Sequence, residues 1–162
     1  MLIDPYAYGN SMDLWNRGAA CLPGDNLTQS MRSVVIDPLD YDWEGDRPLN
    51  RPMQDSVIYE MHVGGFTRAG NSHVTSPGTF RAVIEKIPYL KELGVTTIEL
   101  LPIQAFDPND APAGRDNVWG YSPLSWFAPH HEYSVGSDPH SARDQVRELV
   151  AACHDAGIEV LL

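Results

Sequence analysis

The protein has 162 residues, of which 43% are hydrophobic and 20% charged, so it can form one domain with a core and is not wholly disordered. Its formal net charge of −11 excludes a surface for nucleic acid or an anionic membrane, because phosphate binding requires clustered Lys and Arg. The charge is compatible with a neutral or cationic partner, or with an acidic surface that only keeps the protein in solution.

Residues 1–53 are rich in turn-forming residues. Asp-Pro, Gly-Asn and Pro-Gly pairs recur along this segment, and only residues 33–37 predict a strand, by their β-branched run. Too little apolar periodicity remains for an independent core. We therefore expect either an arm packed on a neighbouring domain or the end of a domain that begins outside this chain.

From residue 56 onwards, strand and helix patterns alternate. Residues 57–63 predict a strand that Gly64-Gly65 ends. Thr79 predicts the cap of a helix in which Pro88 causes a kink or restart, and Gly94 suits the left-handed residue past its end. The apolar residues of this helix follow helical spacing: Phe80, Val83, Ile84, Ile87 and Leu90.

The same order then returns. Residues 96–101 predict a second strand, and Ser141 with Asp144 resembles a capping box at the start of a second helix. Gly157 ends this helix, and residues 158–162 predict a third strand. One face of the helix is apolar: Val146, Leu149, Val150 and Cys153. The order predicts an α/β fold with three adjacent parallel strands and right-handed crossovers.

The two loops that lead from a strand to a helix are long, at residues 64–78 and 102–140. Ligands of parallel α/β proteins bind where such loops lie, at the carboxyl ends of the strands. The second loop is too aromatic for a disordered linker: it contains Trp119, Tyr121, Trp126, Phe127 and Tyr133. The third strand would leave an exposed sheet edge, so we expect the chain to be part of a longer polypeptide.

Residues 116–123, which we call the aromatic loop, combine rings with amide and carboxylate groups. Flat aromatic rings match the C–H faces of sugars, while polar groups take the hydroxyls. Gly120, between Trp119 and Tyr121, lets the backbone approach a ligand closely. The loop predicts a sugar contact through Trp119 and Tyr121. The alternative is that both rings only anchor the loop.

The other polar residues give no comparable prediction of a binding or catalytic site. Adjacent His130 and His131, with His140 nearby, rarely meet one metal, so we expect no metal and no cofactor. His62 is expected to be a hydrogen-bonded core histidine. Glycoside hydrolysis needs a carboxylate pair. Three glutamates within strands are expected to face helices or neighbouring strands instead of sharing a ligand: Glu60, Glu99 and Glu159.

Cysteine usage and hydropathy predict a cytoplasmic protein. Cys21 and Cys153 do not make a disulfide framework, and no CxxC pair suggests zinc. No apolar run approaches the ~20 residues of a membrane span, and residues 1–5 are not a signal peptide. No GxSxG, P-loop or GxGxxG motif supports an esterase, a phosphoryl transferase or a dinucleotide-binding enzyme.

Several motifs together resemble glycoside hydrolase family 13, the α-amylase superfamily. Residues 57–67 resemble its first barrel strand, and residues 85–95 and 99–102 resemble its first helix and second strand. Trp119-Gly120-Tyr121-Ser122-Pro123 and Phe127-Ala128-Pro129-His130 resemble its second loop. The resemblance implies a (β/α)₈ barrel, with its first three strands and two helices in residues 54–162.

Two segments are similar to the isoamylase-type debranching subgroup, which includes bacterial glycogen debranching enzymes. Residues 41–48 match the segment before the barrel, and residues 2–7 resemble the end of an N-terminal β-sandwich glycan-binding module. Residues 1–53 are thus expected to hold the end of that module and a linker. The subgroup hydrolyses α-1,6 branch linkages of α-glucans such as glycogen, with retention of configuration.

The resemblance implies an aspartate nucleophile after strand four, a glutamate acid/base after strand five and an assisting aspartate after strand seven. These positions would follow Leu162, so no catalytic residue is assigned in this chain. Tyr121 matches the tyrosine that stacks under the sugar, and Trp119 lies beside it. Val118 departs from the subgroup, which commonly has tyrosine there. An α-glucan branching enzyme, an α-amylase and a catalytically silent glucan-binding remnant are the alternatives.

Overall fold

The computed structural model of the protein describes residues 3–138 and 140–162, so that Leu2 of the segment 2–7 and Pro139 of the long second loop lie outside the described residues. The strands are β1 (Asn10–Ser11), β2 (Arg32–Ser33), β3 (Ile58–Met61), β4 (Thr97–Leu100), β5 (Gln104–Phe106), β6 (Pro123–Pro129) and β7 (Glu159–Leu161). The helices are α1 (Arg17–Ala20), α2 (Val63–Phe66), α3 (Phe80–Glu85), α4 (Ile87–Glu92) and α5 (Ser141–Asp155). Single 3₁₀ turns span Met53–Asp55 and His131–Tyr133.

Three parallel strands form the central sheet, in the order β3-β4-β7. Ile58 pairs with Thr97, and Thr97 pairs with Glu159. The sequence prediction of three adjacent parallel strands is confirmed, as is the α/β class. Gly94 and Gly157, with φ of 84° and 77°, provide the left-handed turns that return the chain from each helix to the sheet.

The core lies on one face of this sheet. Met61, Ile98 and Leu100 point to that face and pack with residues of the helices, including the fully buried Phe80 and Leu149. Each such large side chain stabilises the fold by about 1.5–3 kcal/mol when it leaves water. The alternate residues of β3 and β4 point to the opposite face, which no helix covers among the described residues.

The first helical segment is interrupted, as the sequence predicts. Thr79 caps α3, because its Oγ1 accepts a hydrogen bond from the Ala82 N–H at 3.2 Å. Lys86 separates α3 from α4, and Pro88 falls in the first turn of α4, where a proline needs no backbone donor. Within the described residues, no helix is long and apolar enough to cross a membrane.

The predicted strand at residues 33–37 is wrong. The strand is the two-residue β2, paired antiparallel with β1, and Val35 beyond it is 98% exposed. A β-branched run forms a strand only where a neighbour offers a ladder and a buried face. After Val34, whose N–H donates to the Gly9 carbonyl, that neighbour ends.

The predicted capping box at Ser141 and Asp144 is also wrong. Ser141 is the first residue within α5, and His140 is the cap without a side-chain hydrogen bond. The Asp144 carboxylate accepts instead from Arg143 at 2.9 Å. The Asp138 carboxylate accepts the His140 N–H at 2.8 Å, so it organises the turn that precedes the helix.

The second long loop contains a hairpin that the sequence analysis missed. Its strands are β5 and β6, which pair antiparallel with register shifts. Ser125 and Ala128 are buried, whereas Trp126 and Phe127 between them are both exposed. These shifts break the strict alternation from which a strand is predicted, so the pattern resembles a loop.

Candidate sugar-binding site

The aromatic loop lies between β5 and β6, beside the carboxyl ends of β3 and β4. Its two predicted site residues are exposed: Trp119 by 60% and Tyr121 by 69%. The Trp119 ring meets the ring of His62, directly after β3, edge to face at 5.7 Å. Tyr121 lines a shallow cavity that begins at the end of β4.

Gly120 fits the loop closely against the hairpin. Its φ is +74°, and a Cβ on it would lie 2.9 Å from Cδ1 of Phe106. The residue is therefore needed for both its backbone conformation and its lack of a side chain. The close approach is to Phe106, whereas the sequence analysis expected a close approach to a ligand.

Asn117 holds the loop from inside. Its Oδ1 accepts the Gly120 N–H at 3.2 Å, and its Nδ2 donates to Ser122 Oγ at 3.1 Å. Its own backbone N–H donates to the Pro108 carbonyl at 2.7 Å. These bonds fix the loop on both sides of Trp119, so the two exposed rings project from a structured turn.

His62 contacts the loop from β3. Its Nδ1 accepts the Gly65 N–H at 2.9 Å, and its Nε2 lies 2.9 Å from the Val118 carbonyl oxygen and 3.0 Å from Tyr133 Oη. Burial lowers the pKa of His62, against the effect of the Val118 carbonyl and with that of Arg68. His62 is hydrogen-bonded, as expected, but it also borders a cavity of the site.

A cavity of about 400 Å³ lies beneath the loop, between it and residues 12–15. His130 borders it and is fully buried, with its ring stacked on Phe106 at 3.9 Å. Burial lowers the pKa of His130 to about 3, and the neighbouring His131 and His62 act in the same direction. Neither ring nitrogen of His130 has a hydrogen-bond partner among the described residues. The Glu132 carboxylate lies 3.7 Å from Nε2.

The strand glutamates lie elsewhere than expected. Glu60 pairs with Glu99 in the parallel register, and both are exposed on the face that the helices do not cover. They line the cavity of about 260 Å³ that Tyr121 also lines. Glu159 is engaged by the Arg51 N–H, which donates to its Oε1 at 2.7 Å. Glu60 and Glu99 thus face a neighbouring strand and not the helices, which is one of the two placements that the sequence predicted.

The signal for this arrangement was present in the sequence. Glu60 and Glu99 lie three and two residues before the ends of their predicted strands, and parallel strands align such positions. Two carboxylates thus lie beside an exposed ring, and carboxylates can accept hydrogen bonds from the hydroxyls of a neutral sugar. Within the described residues, no three His, Cys, Asp or Glu side chains are grouped as metal ligands.

The chain is similar to known proteins over its whole length. The chain is similar to isoamylase 1 of Oryza sativa subsp. japonica, with 38% identity over all of this chain and 21% of that protein. It is similar to the glycogen debranching enzyme of Klebsiella pneumoniae (strain 342), with 40% identity over all of this chain and 26% of that enzyme. The chain thus spans about a fifth to a quarter of these relatives. No family model matches it.

Solved structures resemble the fold as well. The pullulanase type I of Bacillus subtilis str. 168, complexed with maltose, superposes with a TM-score of 0.73 at 28% identity, over 98% of this chain and 22% of that one. A putative α-amylase from Salmonella typhimurium superposes with a TM-score of 0.67 at 30% identity, over 98% of this chain and 21% of that one.

Proposed function

We propose that this chain, which belongs to the isoamylase-type group of glycoside hydrolase family 13, contributes a sugar-binding surface to a debranching enzyme. We call this surface the platform; it consists of the exposed rings of Trp119 and Tyr121. The substrate is glycogen or a related α-glucan, and the bond is the α-1,6 branch linkage. One observation carries the proposal: Trp119 and Tyr121 are exposed on a loop fixed beside the ends of two parallel strands, in a chain that matches debranching enzymes from end to end.

The platform works by shape and by hydrogen bonding. A glucosyl ring stacked on Tyr121 would place its hydroxyl groups near the carboxylates of Glu60 and Glu99. Carboxylates accept hydrogen bonds from hydroxyls, and they do not require a charged ligand. The net charge of −11 is compatible with this neutral partner.

On this proposal, residues 54–162 form the first three strands and two helical connections of a (β/α)₈ barrel. The uncovered face of β3, β4 and β7 would line its interior. Residues 1–53 would hold the end of a β-sandwich module and a linker, and the antiparallel β1–β2 pair supports this division. The unpaired thiols of Cys21 and Cys153 support a cytoplasmic location.

The chemistry would come from other strands. The family's nucleophile, acid/base and assisting carboxylate follow strands four, five and seven, whereas residues 54–162 correspond to the first three. A retaining glycosidase needs two carboxyl groups about 5–5.5 Å apart across the scissile bond. Accordingly, we assign binding to this chain and no catalytic residue.

The test is calorimetric titration of the 162-residue protein with maltotetraose. Tyr121→Ala should weaken binding by about 1–3 kcal/mol, or roughly 5- to 150-fold, by analogy with bases stacked on aromatic rings. Tyr89→Ala is the matched control, because Tyr89 is also exposed but lies on α4 and packs on Phe66. Equal affinities of Tyr121→Ala and the unaltered protein would reduce Tyr121 to a loop anchor.

A second ligand distinguishes debranching from related activities. The resemblance to a putative α-amylase keeps a linear α-1,4 glucan as an alternative substrate. A maltotetraosyl chain that carries one α-1,6 branch should bind more tightly than linear maltotetraose if the protein serves debranching. A preference for the linear chain would favour the amylase alternative, and the absence of any binding would reject the sugar platform.

A further inference from the structure

His62 connects the end of β3 to the aromatic loop through a hydrogen bond and a ring contact. It is the first residue after β3 and the N-cap of α2, and its ring accepts the Gly65 N–H on one side and lies 2.9 Å from the Val118 carbonyl oxygen on the other. Val118 is the residue directly before Trp119. A movement of the His62 ring would therefore displace the peptide unit between Val118 and Trp119, and with it the Trp119 ring.

The partners of His62 select a single form of its ring. The Gly65 N–H can only donate, so Nδ1 carries a lone pair. The Val118 carbonyl can only accept, so Nε2 carries the hydrogen, which is shared with the nearby Tyr133 hydroxyl oxygen. Protonation of Nδ1 would place its N–H against the Gly65 N–H, two donors without an acceptor, and would break the capping hydrogen bond of α2. The neutral Nε2–H tautomer is the one form that satisfies both neighbours.

Packing keeps the ring in this position. Tyr133 meets it edge to face at 5.7 Å, and Trp119 covers another edge at the same distance. A Cβ on Gly64 would lie 3.0 Å from His62 Cε1 and 3.1 Å from Tyr133 Cε1, so a side chain there would press on both rings. The ring is held by contacts from α2, the turn at Tyr133 and the loop itself.

We propose that His62 is a positioning residue for α-glucan binding, which sets the place of Trp119 and Tyr121 through the Nε2–H···O=C bond to Val118. The inference rests on the proposed function of the platform. On this proposal, His62 acts through the loop and not by a contact with the sugar. Asn117 fixes the loop at Gly120, and His62 fixes it at Val118, on the side that faces the sheet.

Two substitutions separate positioning from capping. His62→Asn keeps an acceptor near the place of Nδ1 and remains a good helix cap, but its side chain cannot reach Val118. His62→Gln extends a donor to the place of Nε2 and loses the cap. If His62 positions the loop, His62→Gln should retain most of the affinity for maltotetraose. His62→Asn should bind maltotetraose roughly 3- to 10-fold more weakly, because it loses the net contribution of one hydrogen bond.

The loop itself provides a second measurement that needs no sugar. Protein labelled with 5-fluorotryptophan is observed by ¹⁹F NMR, and the Trp119 resonance is assigned by its loss in Trp119→Phe. Both variants remove the His62 ring beside Trp119 and so change the chemical shift, which leaves the line width as the diagnostic quantity. His62→Asn should broaden the resonance, and His62→Gln should leave it as narrow as in the unaltered protein. His131→Asn is the control, because His131 borders the same cavity but contacts His130 instead of the loop.

The outcomes separate the two ideas. If Tyr121→Ala weakens binding but His62→Asn binds maltotetraose as the unaltered protein does, the positioning role is overturned and the platform stands. The role is equally overturned if His62→Gln is as weak as His62→Asn, since His62 would then act only as a cap or by packing. If no sugar binds, the platform fails, and the Trp119 resonance still decides whether His62 places the loop.

Discussion

Gly120 shows how one residue sets the position of the two exposed rings. Gly120 and Gly114 have nearly the same left-handed backbone, with φ of 74° and 79°, but a Cβ on Gly114 would meet nothing within 4 Å. Gly114→Ala should therefore lower the free energy of unfolding by about 1 kcal/mol, through backbone strain alone. Gly120→Ala should lower it further, because the added methyl group would press on Phe106.

Urea unfolding of both variants measures this difference. Gly120→Ala should also weaken maltotetraose binding, since the loop must move to relieve the contact, whereas Gly114→Ala should not. Equal losses of stability in the two variants would show that the Phe106 contact relaxes without penalty and that only the backbone conformation matters.

His130 predicts a specific dependence of stability on pH. Its pKa is about 3 in the folded protein, against an ordinary value of 6.5, so the unfolded chain binds the proton more readily. The contribution of His130 to stability is complete above about pH 6.5 and is lost as the pH falls towards 3, at about 1.4 kcal/mol per pH unit.

His130→Phe tests this dependence, because a phenyl ring can keep the stack on Phe106 and has no nitrogen to protonate. Between about pH 7 and pH 5, the free energy of unfolding of the unaltered protein should fall by up to about 2 kcal/mol more than that of the variant, measured by urea unfolding at both pH values. His73→Asn, at an exposed histidine, is the control. A parallel pH dependence in His130→Phe and the unaltered protein would contradict the buried, neutral state of His130.

At the scale of elements, the caps of α3 and α5 offer a paired test. Thr79 accepts a hydrogen bond from the Ala82 N–H, whereas Ser141 lies inside α5 and makes no capping bond. Thr79→Ala should lower the free energy of unfolding by about 1 kcal/mol, and Ser141→Ala should change it by less than about 0.5 kcal/mol. Thermal and urea unfolding give both values. A larger loss in Ser141→Ala would restore the capping box that its sequence suggested.

The elements differ in how far local sequence determines them. The helix at residues 80–92, its break before Pro88 and the strand β4 follow from apolar spacing and from the chemistry of proline and glycine. The hairpin of β5 and β6 does not, because each strand depends on the other and their register is irregular. Long-range pairing decides such strands.

At the scale of the whole molecule, polar side chains connect residues 1–53 to the rest of the protein. Arg17 pairs with the buried carboxylate of Asp107, and His154 lies 2.8 Å from Asp46. Arg147 is stacked over the Tyr41 ring at 4.4 Å. These contacts fit the expectation of an arm packed on a neighbouring domain, and the division near residue 53 stays a prediction.

The whole molecule should bind glucan without hydrolysing it. On the proposed function, the family's catalytic carboxylates follow strands four, five and seven, whereas residues 54–162 correspond to the first three. The purified 162-residue protein should therefore release no linear chains from glycogen above a buffer control. Reducing-end assay and chromatography of the products measure this. Release that is abolished by Glu60→Gln or Glu99→Gln would instead identify these paired glutamates as catalytic.

The sequence by itself determined the α/β class, the three parallel strands, the kinked helix and the aromatic character of the second loop, because each depends on periodicity or on the backbone limits of single residues. Only the tertiary structure decided which side chains meet there. The parallel register places Glu60 and Glu99 in the cavity that Tyr121 lines, and His62 contacts Val118, which lies 56 residues further along the chain. Such contacts depend on the packing of distant segments, which no local pattern records.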